Sequence, residues 1–158
     1  MSRAFVREND GSETPEDLPE RPVSAHPNFV TAHGLQLIDG HIRELESARE
    51  EAKREEDKAT VARIDRDLRY WLQRKSSAKV VEPEPLPRKV RFGVRVSLRY
   101  ANGVERSFTL VGEDEGDPAR GLISWISPIA QALIGAEVGD EVQLQDQRAQ
   151  IMRIDAAS

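Results

Sequence analysis

The sequence lacks cysteine altogether, and this absence excludes disulfide bonds and thiolate metal sites. It also lacks any apolar run near the ~18 residues that a membrane-spanning helix needs. Its first residues are too polar for a signal peptide, so we expect a cytoplasmic protein without membrane contact. Hydrophobic residues make up 38% and charged residues 32% of the 158 residues, which favours small cores and a solvated helical element over one large core.

Catalytic and cofactor motifs are missing as well. The sequence has no P-loop, no dinucleotide glycine motif and no Ser/His/Asp set. The histidines His26, His33 and His41 lack cysteines or clustered acids at metal-ligand spacing. A net charge of −5 argues against direct binding to duplex nucleic acid, because phosphate contacts need clustered Lys and Arg. We expect no catalytic site and no cofactor that the protein holds by itself.

What is present divides the chain into four segments. Residues 1–28 are rich in Glu, Asp, Pro and Ser, which predicts a disordered acidic tail. Residues 29–79 carry two apolar stripes of helical spacing with a polar stretch between them. Residues 80–88 contain alternating prolines, which are typical of a stiff linker between halves that unfold separately. In residues 89–156 apolar residues recur at every second position, which indicates strands.

The two stripes predict an antiparallel coiled-coil hairpin. Thr31 is a suitable N-cap for the first helix, and the turn is expected at Glu55–Lys58. The alternative is one continuous helix, which would leave its stripe exposed in a monomer. Gly40 either permits close approach of the second arm or is a tolerated defect. The stripes consist of Leu35, Ile38, Ile42 and Leu45, then Val61, Ile64, Leu68 and Trp71.

The second helix also carries a large aromatic and a basic face. Trp71 fits the stripe and is expected to pack near the junction with the following domain, with a partner contact as the alternative. Arg66, Arg69 and Arg74 either face nucleic acid or a partner, or pair with acids at helical spacing, as Asp65 would with Arg69.

The final segment predicts five or so strands and one short helix. Asn102-Gly103 is a strong hairpin-turn signal between two of the strands. Ser127 and Pro128 begin the helix, which Gly135 closes. The ordered region is therefore of the α+β class, with a helical hairpin followed by a small β domain.

An ordered series of short motifs runs through the final segment from about Lys89 to Ile154. It consists of Val111-Gly112, Glu115, Asp117, Ile123-Ser124, Ser127-Pro128, Ala132-Leu133, Gly135 and Gly139-Asp140. This series resembles the C-terminal domain of the GreA/GreB transcript cleavage factors. More loosely, Thr31 and Gly34 resemble the start of that family's coiled coil, and residues 76–81 resemble its exit.

The resemblance implies an FKBP-like β domain after the coiled coil, and RNA polymerase as the partner. Family members insert the hairpin into the polymerase's secondary channel, where two acidic tip residues help to hold a second Mg²⁺. By position, Glu55, Glu56 and Asp57 would be the tip acids, and the Mg²⁺ would be shared with the polymerase active site. The alternative for these acids is a solvated helical face.

The resemblance also implies a polymerase-binding surface on the β domain. It falls on Asp114, Glu115, Asp117, Ser127 and Pro128. An acidic loop of this kind complements a basic partner, and the alternative is an ordinary polar turn.

The sequence departs from the family pattern in four ways, and the missing tip signature and the short arms weaken the implied cleavage activity. Gly116 replaces the usual Ala, the family's P-G-G turn before the last strand is missing, and so is its tip signature G-D-L-x-E-N-A-E. Each arm has roughly 20 residues, or about 30 Å, which is about two to three turns shorter than in the family.

We therefore expect a monomeric elongation factor that binds RNA polymerase at the secondary channel, with weak or no stimulation of transcript cleavage. It would meet nucleic acid only within the transcription complex. The alternative is a protein similar to the regulator of nucleoside diphosphate kinase, which shares the β domain and has a shortened coil. A peptidyl-prolyl isomerase is a remote alternative, because only the FKBP-like fold suggests it.

Overall fold

Two long helices and a five-stranded sheet with one short helix make up the described part of the chain. The coordinates are a computed structural model that describes residues 18–157. This architecture confirms the predicted α+β class. The larger part of the predicted acidic tail, residues 1–17, lies outside the described residues.

The two long helices are antiparallel neighbours, which we call the helix pair. Helix α1 spans Ala32–Arg54 and helix α2 spans Lys58–Ser77. The break at residues 55–57 excludes the alternative of one continuous helix and lies within the predicted turn. Thr31 caps α1 as predicted, because its hydroxyl accepts a hydrogen bond from the Gly34 backbone N–H at 2.9 Å.

The predicted apolar stripes face each other inside the helix pair. Ile38 and Ile42 of α1 are buried with Ile64 and Leu68 of α2, and the other members of both stripes pack against this cluster. Burial of such side chains contributes about 1.5–3 kcal/mol each, which holds two otherwise highly charged helices together. The close approach considered for Gly40 is wrong, since no atom lies within 4 Å of the Cβ it lacks.

The chain enters and leaves the helix pair at the same end, which we call the base. Strand β1, Phe29–Val30, precedes α1 and pairs in parallel with strand β2, Lys79–Val80, which follows α2. Backbone hydrogen bonds extend this pairing by one residue on each side. The helix pair is thereby closed at its base by backbone pairing.

Residues 18–28 lie against α2, although composition predicted disorder for them. Glu20 accepts hydrogen bonds from the Arg69 guanidinium, the shortest at 2.5 Å. The Arg21 guanidinium lies 3.9 Å above the centre of the Tyr70 ring, a cation–π contact.

The suggested pairing of Asp65 with Arg69 is wrong, because Asp65 binds Arg49 of α1 at 2.5 Å instead. Asp65 and Arg69 therefore each pair with a residue distant in the sequence, which the spacing within α2 does not reveal.

The five-stranded sheet forms the second unit, which we call the sheet domain. Its strand order is β5-β4-β3-β7-β6, and only β4 and β5 are parallel. Gly103, with a φ of +83°, forms the predicted turn between β3 and β4. The short helix α3, Pro128–Leu133, was also predicted. The strands are β3 (Val94–Tyr100), β4 (Glu105–Val111), β5 (Leu122–Ser124), β6 (Glu141–Leu144) and β7 (Gln147–Ala156).

The sheet domain has its own core, and all its buried members lie between Val90 and Ile154. Between β4 and β5 the chain passes through residues 112–117, which we call the junction loop because it faces the base of the helix pair. Among residues 18–157, no helix combines the length and the apolarity that crossing a membrane requires.

Candidate functional sites at the two ends of the helix pair

The distal turn, Glu55–Asp57, closes the helix pair at the end opposite the base. Since α1 has 23 residues, the turn lies about 35 Å from the base. Glu55 ends α1 with a helical backbone, and Glu56 has a φ of +56°, in the left-handed region that few residues other than glycine adopt. Within residues 18–157 the Glu55 and Glu56 carboxylates accept no hydrogen bond, and both residues are exposed.

Asp57 differs from its two acidic neighbours because it caps α2. Its carboxylate accepts a hydrogen bond from the Thr60 backbone N–H at 3.1 Å and another from the Thr60 hydroxyl at 2.6 Å. These bonds, the one from the hydroxyl first, lower the pKa of Asp57 below its usual value. On sequence grounds Asp57 was grouped with the tip acids and its capping role was not predicted, although Asp is one of the preferred N-cap residues.

The chemistry open to the distal turn follows from these two free carboxylates. Among residues 18–157, no group of three or more His, Cys, Asp or Glu side chains is arranged to hold a metal ion. Mg²⁺ commonly binds through one or two carboxylates together with water and ligands from another molecule. Glu55 and Glu56 can therefore contribute to a metal held elsewhere but do not form a metal site alone.

A buried arginine dominates the other end of the helix pair. Arg74 of α2 has only 2% of its side chain exposed. Its Nε donates a hydrogen bond to Asp114 at 2.6 Å, and its Nη2 donates one to the Asn28 side-chain oxygen at 2.8 Å. Glu113 lies 3.5 Å from the same Nη2. Burial of a guanidinium is costly without such partners, and removal of one partner of a buried pair typically costs about 3–5 kcal/mol.

Tyr70 lies one helical turn before Arg74 and shares its partner. The Tyr70 hydroxyl donates a hydrogen bond to the second oxygen of Asp114 at 2.5 Å. Burial, followed by this bond to a carboxylate, raises the pKa of Tyr70 to about 12. The hydroxyl therefore stays protonated, and the contact stays intact, across the physiological pH range.

The start of α1 is attached to the same loop. The Thr31 hydroxyl, which caps α1, also donates a hydrogen bond to Glu115 at 2.6 Å. A Cβ on Gly34 would lie 2.8 Å from the same Glu115 carboxylate, and a Cβ on Gly112 would lie 2.6 Å from the Phe29 carbonyl oxygen. Glycine at both positions therefore lets the loop approach α1 and β1 closely.

The predicted polymerase-contacting residues thus occupy different environments. Asp114 and Glu115 are engaged inside the molecule, as described above. Asp117 makes no capping hydrogen bond with its side chain. Ser127 accepts a hydrogen bond from the Ala130 backbone N–H at 3.3 Å and caps α3, and Pro128 is the first residue of that helix. Ser127 and Pro128 also line an open cleft of about 670 Å³ on the sheet domain.

The aromatic side chains of this region fall into different groups. Phe29 packs between Phe92 and Trp125, with ring centres 6.1 and 5.3 Å away. Tyr100 and Phe108 line the cleft instead. Trp71, expected near the junction, stacks on His41 within the helix pair at 4.3 Å.

Arg74 and Tyr70 were not predicted from the sequence as junction residues. Their spacing of four residues does indicate that both lie on one face of α2. However, no local pattern shows that this face meets a loop some 40 residues further along the chain.

The sequence comparisons with known proteins agree with one another. Residues 85–155 match the family model for the C-terminal part of the transcription elongation factor GreA/GreB. The sequence is 36% identical over 140 residues to transcription elongation factor GreB of Yersinia pestis, covering 77% of this chain and 82% of that protein. It is 35% identical over 133 residues to transcription elongation factor GreA of Desulfovibrio desulfuricans, covering 83% and 78%. Among solved structures, the GreA factor homolog 1 protein of Thermus thermophilus aligns at 20% identity with a TM-score of 0.41, covering 83% of this chain and 100% of that one.

Proposed function

Because the chain belongs to the GreA/GreB family of transcription elongation factors, we propose that it binds RNA polymerase and acts at the polymerase's secondary channel. The sheet domain, FKBP-like in this proposal, supplies the binding surface, and the helix pair, as a coiled coil, enters the channel. The protein acts as a monomer in the cytoplasm and meets nucleic acid only within the transcription complex. It has no catalytic site of its own.

The observation that carries the proposal is the distal turn with its two free carboxylates, about 35 Å from the base. Glu55 and Glu56 can approach a metal in the polymerase active site. Their effect is expected to be small, since α1 and α2 have only 23 and 20 residues and Asp57 is engaged in capping α2. The protein therefore stimulates transcript cleavage weakly or not at all.

The decisive experiment is a transcript-cleavage assay on stalled polymerase complexes. The test variant is Glu55→Gln with Glu56→Gln, which keeps the Asp57 cap intact. The matched control is Glu44→Gln with Glu46→Gln, which removes the same charge from an exposed part of α1. We expect unchanged polymerase affinity for both variants and an altered transcription effect only for the first. Robust cleavage by the unmodified protein, lost in the first variant, would contradict weak stimulation and support the full cleavage mechanism.

A second candidate is a role like that of the regulator of nucleoside diphosphate kinase. The short helix pair favours it, because such a protein binds polymerase without a cleavage tip. In that case the chain would bind polymerase, cleavage would be absent, and both charge variants would behave like the unmodified protein.

The polymerase-binding surface has a separate test. Asp114 and Glu115 are engaged at the junction, so Asp117 and the cleft rim at Ser127 and Pro128 are the predicted contacts that stay available to a partner. We expect Asp117→Lys to weaken polymerase binding, because charge reversal at an interface costs affinity. Glu141→Lys, on the exposed edge strand β6, should leave binding unchanged. Equal affinity of the two variants in a binding titration would count against this surface.

A further inference from the structure

We propose that Arg74 is a positioning residue, which fixes the direction of the helix pair relative to the sheet domain and thereby the location of Glu55 and Glu56. The structural part of this inference stands on the junction alone. Its effect on transcription rests on the proposed function.

Arg74 joins three separate segments of the chain. Asn28 precedes β1, Arg74 belongs to α2, and Glu113 and Asp114 belong to the junction loop. A guanidinium is a planar fork whose N–H donors point in fixed directions. Its bonds therefore constrain the angle between the segments as well as their distance, and a rotation of the helix pair against the junction loop would break the contacts with Glu113 and Asp114 together.

The junction loop holds both helices through consecutive residues. Asp114 binds α2 at two points, since one oxygen accepts from Tyr70 and the other from Arg74. Glu115 binds α1 through the Thr31 hydroxyl. A single contact would act as a pivot, whereas two contacts one helical turn apart, about 6 Å along α2, resist rotation. The attachment of α1 to the next residue removes the remaining freedom to tilt.

The length of the helix pair amplifies any movement at the base. Over about 35 Å, a tilt of about 10° moves the distal turn by about 6 Å. A group that contributes to chemistry must be held within about 0.5 Å of its productive place. The rigidity of the Arg74 network is therefore a condition for any defined action of Glu55 and Glu56.

The network contrasts with the other ion pairs of α2. The neighbouring Lys75 pairs with Asp39 at 2.7 Å, a contact within the helix pair whose lysine is 52% exposed. Arg69 pairs with Glu20 at the surface. Neither contact reaches the sheet domain. Lys75→Gln is thus a matched control, since it removes one positive charge from the adjacent residue without loss of a junction contact.

The direct test is a distance measurement between spin labels in the full chain. The sequence has no cysteine, so Lys53→Cys near the distal turn and Asn102→Cys in the sheet domain take up the two labels uniquely. We expect a narrow distance distribution in the parent and in Lys75→Gln. Arg74→Gln should shift its mean by several ångströms or broaden it by a similar amount, with helix content retained in far-UV circular dichroism.

A milder variant keeps the inference testable if Arg74→Gln fails to fold. Tyr70→Phe removes only the hydroxyl that binds Asp114 and leaves Arg74 in place. It should broaden the distribution less than Arg74→Gln. Distributions that match the parent in every folded junction variant would overturn the proposal.

The transcription assay supplies the functional readout. At saturating protein, Arg74→Gln should reduce the maximal effect on transcription by about tenfold, because a displacement of 1 Å can cost up to about 100-fold. The concentration for half-maximal effect should change by less than about twofold, since the polymerase-binding surface is intact. Altered distances with an unchanged maximal effect would refute the positioning role. If the unmodified protein does not bind polymerase, the proposed function fails, and the label distances still decide the structural part.

Discussion

Two glycines of α1 show how strongly the surroundings of a residue decide the effect of a methyl group. A Cβ on Gly34 would meet the buried Glu115 carboxylate, whereas Gly40 is open. We expect Gly40→Ala to raise the free energy of unfolding by up to about 1 kcal/mol through helix propensity. Gly34→Ala should lower the free energy of unfolding by about 1 kcal/mol. The added methyl group would disturb the hydrogen bond between Thr31 and the charged Glu115, and this loss outweighs the same gain in helix propensity. Urea titrations of both variants check this, and stabilisation by both would contradict the close contact.

Asp57 makes a pH-dependent contribution at the scale of a single residue. Its pKa is lower in the folded chain than in the unfolded one, because the carboxylate accepts two hydrogen bonds from Thr60. The stabilisation is therefore present above the unfolded value of about 3.8 and is lost as the pH falls through the lower folded value. Asp57→Asn should keep the cap but remove this dependence, whereas Asp57→Ala should lower the thermal midpoint at neutral pH.

Thermal unfolding of these variants between about pH 2 and pH 6 measures the effect. Parallel pH profiles for the unmodified protein and Asp57→Asn would show that another acid carries the dependence.

At the scale of the element, the interior of the helix pair depends on its apolar stripes. Leu68 is buried between the helices, whereas Leu72, one turn later on the same helix, is about half exposed. Leu68→Asp should lower the free energy of unfolding by about 3 kcal/mol or more, because it buries an unpaired charge. Leu72→Asp should change it by about 0.5 kcal/mol at most. Chemical denaturation followed by circular dichroism distinguishes the two, and equal losses would contradict the observed packing.

At the scale of the whole molecule, the two units have separate cores and a shared junction. A fragment of residues 87–158 contains the complete core of the sheet domain and should fold alone. Its thermal midpoint should lie below that of the sheet domain in the full chain, because Asp114 and Glu115 lose Arg74, Tyr70 and Thr31. If the two halves unfolded separately, as the proline-rich linker predicts, the sheet domain would have the same thermal midpoint in the fragment and in the full chain. Calorimetry of the fragment and the full chain decides between coupled and separate halves.

The helices and strands could be predicted from the sequence, since these elements depend on near neighbours. The spacing of Ile38, Ile42, Ile64 and Leu68 predicted two helices and the faces that pack together. The Asn102-Gly103 pair predicted one strand reversal, and Ser127 with Pro128 predicted the start of α3. The location of the distal turn followed as well, because it lies midway between two periodic stripes.

Which polar groups are available for function depends on long-range contacts, and these are seen only in the folded chain. Asp114, Glu115 and Asp117 look alike in the sequence, yet the first two bind Arg74, Tyr70 and Thr31 inside the molecule. Residues 18–28 are similarly polar and yet held against α2. Apolar periodicity is a local property of the chain, whereas the partner of a charge is fixed by contacts between residues distant in sequence. The direction of the helix pair depends on those contacts, so it became visible only in the folded molecule.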